Sequence, residues 1–159
     1  MVKKETTGKR PSVYSEWHRE RLPNNCYAND VDWVESRIYN DNGHAIPVAL
    51  IETSAINYEY INPGEDPFRK TLWYVLKRTR IQRTTLERLA SGCGIESYIV
   101  IHGPIYPLKK FLVLHITDEL NSFDWESSKF EDISRTTPIL MEEKEYIKFL
   151  VDMRRYKYF

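Results

Sequence analysis

Cysteine is scarce in this chain of 159 residues, with Cys26 and Cys93 as the pair and no CxxC spacing between them. That excludes a disulfide framework and a cysteine zinc cluster, and leaves two buried thiols as the expectation. Long apolar runs are also missing, so no stretch reads as a membrane span, which needs about 20 apolar residues. The segment from Met1 to Arg10 lacks the apolar core of a secretory leader, and a cytoplasmic protein is expected. An excess of either charge is absent as well, because 23 basic residues balance 23 acidic ones. Any argument for nucleic acid must therefore come from local patches. No internal repeat or low-complexity tract stands out.

What is present suits one domain of 159 residues with a core of its own: 42% of residues are hydrophobic and 29% charged. The chain is organised around the stretch from Tyr27 to Ser54, which reads as a β-hairpin. Asp32 to Tyr39 is rich in β-branched and aromatic residues, Asn40 to Gly43 is turn chemistry, and Pro47 to Ile51 is an apolar run of strand length. A three-residue loop with Gly43 in the left-handed region would set Asp32 opposite Glu52 and Asp30 opposite Ser54. A two-residue loop would move Glu52 to the other face, since side chains alternate along a strand. Facing carboxylates repel. A divalent cation would compensate, and magnesium takes oxygen ligands of this kind; the alternative is a solvated sheet face.

Around the hairpin, residues 1–10 read as a flexible basic arm, and Ser12 to Arg21 as a short helix that carries Glu16 beside its apolar side. Asn62-Pro63-Gly64 breaks the chain before a long helix from Asp66 to Ala90, with Asp66 as cap, Pro67 at its first position and Gly92 and Gly94 at its end. That helix is rich in cations, Arg69, Lys70, Lys77, Arg78, Arg80, Arg83 and Arg88, which fit a phosphate backbone or simply a solvated face. Glu96 to His102 and Phe111 to Thr117 read as strands covered on both faces. His102 and His115 at their ends read as satisfied structural histidines. Asn121 to Arg135 reads as irregular, and a last helix is expected to begin between Pro138 and Glu142, with early acids and late bases that match its dipole.

Glu16, the Asp30 to Glu35 strand, the Ile51 to Ser54 strand end and the following order of helix, strand and strand together resemble the PD-(D/E)xK nuclease superfamily, which includes restriction enzymes and Holliday junction resolvases. The resemblance spans nearly the whole chain and implies one α/β nuclease-like domain over residues 1–159: a restriction-endonuclease-like mixed β-sheet flanked by helices in an αβββαβ-like order. It implies metal ligation by Asp32 or Asp30 and by Glu52, with a weaker part for Glu16. Magnesium is the implied cofactor, with manganese as a substitute.

The chain departs from the pattern where the family carries its catalytic lysine, because Ser54 stands there. Lys70 is one replacement cation; an inactivated nuclease and a non-catalytic binding module are the other readings. The implied activity is hydrolysis of DNA phosphodiester bonds as a magnesium-dependent endonuclease, weakened or silenced by Ser54, with Arg69, Lys70, Lys77 and Arg80 on the DNA backbone. The alternative is a nucleic-acid-binding or assembly protein on the same scaffold. Homodimers are common in the resembled family, and the aromatic content of 13% leaves surplus for an interface, with Arg154 to Phe159 as one place for it.

Overall fold

The computed structural model describes residues 5–6, 13, 17, 20–23, 28–29, 31–38 and 45–155. The chain divides into two compact units, Met1–Val31 and Asp32–Phe159. In the first, β1 (Glu5–Thr6) pairs in parallel with β2 (Ala28–Asn29), and Val13, Trp17, Glu20 and Arg21 are helical. The strand at Glu5–Thr6 lies inside the stretch read as a basic arm. Glu16, Cys26, Asp30 and the turn at Asn40 to Gly43 lie outside the described residues.

The second unit is α/β, built on an open mixed sheet of five strands in the order β3-β4-β5-β6-β7. Its strands are β3 (Trp33–Ile38), β4 (Ala45–Ala55), β5 (Glu96–His102), β6 (Lys110–His115) and β7 (Ile139–Glu142). β4 and β5 are parallel and every other neighbouring pair is antiparallel. Parallel neighbours need a long crossover, supplied here by helices α1 (Pro67–Arg78) and α2 (Arg80–Gly92). Helix α3 (Asp118–Ser122) follows β6, and α4 (Glu143–Arg155) follows β7.

Several boundaries follow directly from the chemistry of the chain. The Asp66 carboxylate accepts from the N–H groups of Phe68 and Arg69, and Pro67 takes the first helical turn, where a missing N–H costs nothing. At the far end of the crossover Gly94 has φ +68°, the left-handed region that glycine enters without strain.

The expected long helix is instead two, broken at Thr79. The Thr79 hydroxyl donates to Val75 O at 2.7 Å and accepts from Arg83 Nε at 3.2 Å. Arg83, only 2% exposed, also donates to Leu76 O and to Asn121 Oδ1. One buried guanidinium thus satisfies a terminal carbonyl of α1 and ties α2 to α3. Burial pushes its pKa down to about 10, which still leaves it charged at neutral pH.

Three further expectations give way. The last helix is preceded by β7, whose Ile139 to Glu142 pair with β6 and extend the sheet by a strand. Its apolar run is too short to distinguish strand from helix by period alone. The stretch from Asn121 to Arg135 contains the end of α3 and a 3₁₀ helix at Phe130–Arg135, held by the buried Trp125, whose Nε1 donates to Leu120 O at 2.8 Å. Cys93, expected buried, is an exposed free thiol at the end of α2.

Two layers sandwich the sheet. Ile51, Val100, Phe111, Val113 and Met141 form a core with Tyr98, Leu108, Tyr146, Phe149 and Leu150, so α4 covers that face. The opposite face presents Ile99, Ile101, Leu112 and Leu114, buried against the α1 and α2 side. No described helix is long and apolar enough to cross a membrane.

Candidate functional site

The hairpin of β3 and β4 is where the sequence places its carboxylates. Trp33 faces Ile51, Val34 faces Leu50 and Glu35 faces Ala49, so one step further out Asp32 lies at the level of Glu52. Nearer the turn the register differs, since Ser36 faces Pro47 and Ile38 faces Ala45. Val48 is therefore an extra residue on β4, a bulge beside a proline that has no N–H to give to the ladder. Without that bulge the turn-side register would bring Ile51 to the level of Asp32. The expected alignment is present, but a bulge produces it.

Asp32 sits just before β3 begins and is exposed. Its Oδ2 accepts from the Thr53 backbone N–H at 2.8 Å and from the Thr53 hydroxyl at 3.2 Å. The carboxylate thereby completes the β4 ladder where β3 has not yet begun. Glu52 and Ser54 are half-buried and lie beside Ile99 and Ile101 of β5. Thr53 pairs with Val100 and belongs to the α4 face. Thr53 is the neighbour that the sequence argument missed, because the bond depends on where the Asp32 side chain points.

Lys70 has close partners of its own. Its ammonium is 2.7 Å from Glu65 Oε2 and lies over the rings of Phe130 and Trp73, at 4.8 and 5.1 Å from their centroids. The Glu65 bond holds the Lys70 pKa above its ordinary value, and the Lys70 bond holds the Glu65 carboxyl below its own. The cation offered in place of the missing lysine is thus paired with Glu65. Lys77 lies over the same Trp73 ring at 4.5 Å, whereas Arg80 is exposed at the start of α2 and Arg69 is half-buried in the first turn of α1. Arg83 is structural.

The two described histidines are partnered. His115 Nε2 is 2.5 Å from Glu96 Oε2, and His102 Nδ1 donates to Gly103 O at 2.6 Å. Arg154, assigned from sequence to an interface, is engaged within its own unit: it pairs with Glu35, donates to Ser36 O at 3.0 Å, and so clamps α4 to β3.

Magnesium usually takes one or two carboxylates and fills its remaining positions with water and phosphate oxygens. Asp32 and Glu52 supply donors of that kind at one level of the hairpin. No group of three or more His, Cys, Asp or Glu side chains able to hold a metal gathers among the described residues, while Asp30 and Glu16 lie outside them. No protein-family model, curated protein or solved structure matches the chain.

Proposed function

We propose that the chain is a metal-dependent DNA endonuclease-like protein on a restriction-endonuclease-like scaffold, with Asp32 and Glu52 as the residues that hold magnesium. The observation that carries this reading is the bulged register, which aligns Asp32 with Glu52 near the carboxyl end of β4. The parallel β4–β5 pair joined by a helical crossover supports it, since ligand sites in open α/β sheets lie outside the carboxyl ends of such strands. Bound there, magnesium would supply charge to polarise a phosphate and to acidify a water. Thr53 fixes the Asp32 carboxylate, and Arg69, Lys77 and Arg80 contribute cations for the DNA backbone. At the position of the family's lysine Ser54 offers a neutral donor, a weak substitute for an ammonium.

Pairing of Lys70 with Glu65 favours a second reading, a non-catalytic nucleic-acid-binding or assembly protein on the same scaffold. The two separate in one assay: cleavage of labelled duplex, single-stranded and branched DNA with magnesium or manganese by the native chain, Ser54→Lys and Glu52→Ala. The nuclease reading expects Ser54→Lys to cut about a hundred- to a thousandfold faster than the native chain, and Glu52→Ala to be silent. Silence from all three, with DNA binding that weakens as salt rises and ignores magnesium, supports the binding module.

A further inference from the structure

On the α4 side of the sheet, at the carboxyl ends of β4 and β5, lies a cavity of about 430 Å³. It falls toward the small end of the roughly 300–1,000 Å³ range of small-ligand sites. Trp33, Ile51, Val100, Leu108, Phe111 and Leu150 give it apolar and aromatic walls, and Glu35, Thr53, His102 and Tyr146 are its polar lining. The cavity stands apart from Glu52 and Ser54, which lie on the opposite face, and shares Thr53 with the Asp32 carboxylate.

The polar lining selects a class of ligand. Among the described residues no lysine or arginine lines the cavity, and Glu35 does, so the described lining offers a phosphate or carboxylate no counter-charge. His102 donates through Nδ1 to Gly103 O, a tautomer whose acceptor is Nε2. Thr53 donates its hydroxyl proton to Asp32, so its oxygen presents lone pairs. Arg154 neutralises Glu35 yet leaves the carboxylate able to accept more than one bond. Three acceptors thus stand against two donors, the Tyr146 hydroxyl and the Trp33 indole N–H. The Tyr146 phenol is held protonated by burial and by Glu35.

We infer that this cavity binds an uncharged, planar, amino-bearing heterocycle of the nucleobase class, its flat faces against the aromatic and aliphatic walls and its amino edge toward His102, Thr53 and Glu35. The inference goes beyond the nuclease reading and needs neither a metal nor cleavage. Nucleobases with an exocyclic amino group match a lining richer in acceptors than in donors, and their neutral rings suit described walls that carry no lysine or arginine.

The test is calorimetric titration of the full chain, without divalent metal, with adenosine, cytidine, uridine and adenosine monophosphate. Adenosine or cytidine should bind saturably with a dissociation constant of about 1 mM or tighter. Uridine, which lacks the amino group, should bind about tenfold more weakly. Tyr146→Phe, which keeps the stacked ring, should weaken adenosine about three- to tenfold, and Leu108→Trp, which fills the space, should abolish binding. Circular dichroism checks that each variant folds; should Leu108→Trp fail to fold, Tyr146→Phe decides. No saturable heat with adenosine or cytidine, equal affinity for uridine, tighter binding of the monophosphate, or an unchanged affinity in Tyr146→Phe each overturns the assignment.

Discussion

On one face of β4, Glu52 and Ser54 lie beside Ile99 and Ile101, on the side packed by α1 and α2; on the other, Ile51 and Thr53 lie beside Tyr98 and Val100, under α4. The first face runs from buried aliphatic residues straight into the half-buried Glu52 and Ser54. The second opens into a cavity walled by aromatic side chains. A strand whose side chains alternate can serve two environments at once. Here one face carries the carboxylate read as a metal ligand and the other a pocket with no lysine or arginine among its described lining. Asp32 joins them, placed at the level of Glu52 but hydrogen-bonded to Thr53.

The sharpest way to break this contrast is to remove the same side chain from each face. Ile99 is fully buried and Ile51 is 1% exposed, so exposure alone predicts equal effects. Isoleucine to alanine in a core costs about 2–5 kcal/mol, more where the surroundings cannot collapse or fill the space. Ile99→Ala should fall near the upper end. Ile51→Ala should cost less, because the space it vacates merges with an existing opening. Urea denaturation measures both, and an Ile51→Ala cost equal to or above that of Ile99→Ala would remove the distinction between the faces.

How much of this was legible in the sequence depends on whether the signal was local. The Asp66–Pro67 start, the glycine end of the crossover and the limits of β5 are local chemistry, and they stand where the residues imply. The mixed α/β sheet followed from the order of apolar runs. β7 was not legible, because the Ile139 to Glu142 run is continuous with the helix behind it. The break at Thr79 escaped too, since Arg83 reads in the sequence as one more surface cation, whereas it is buried and bonded to Thr79 and Leu76 O across the break and to Asn121. At the site, the level of Asp32 with Glu52 was read from an assumed turn, yet it depends on the bulge at Val48. The Thr53 partnership and the Glu65 hold on Lys70 depend on side-chain directions that spacing alone does not supply.

A smaller effect tests the link between the faces. Asp32→Ala deprives the Thr53 N–H and hydroxyl of their acceptor, at a cost of about 0.5–1.5 kcal/mol for an exposed bond of this kind. Asp32→Asn keeps a carbonyl oxygen in place and should recover most of that stability while it loses the charge a metal needs. Denaturation with and without magnesium separates the roles. Stability restored in Asp32→Asn without its magnesium response means that one carboxylate serves both the ladder and the cation, whereas no loss in Asp32→Ala means that Thr53 does not depend on it.

The last effect vanishes at neutral pH and belongs to the cavity face alone. Burial and the nearby Glu35 push the Tyr146 hydroxyl up to about 12, against an ordinary value of 10. A group whose pKa is raised in the folded protein contributes its full stability below the unfolded value and loses it as pH climbs toward the folded one. The native chain should therefore weaken between about pH 10 and 12, where an unfolded tyrosine releases its proton and Tyr146 holds on to it. Tyr146→Phe should flatten that decline without removing it, because Tyr98 on the same face is also raised by burial. The comparison is the shift of the urea midpoint from neutral to alkaline pH in each chain. An identical alkaline shift would mean that water reaches the Tyr146 hydroxyl freely, and would leave the α4 side as solvated as any surface groove.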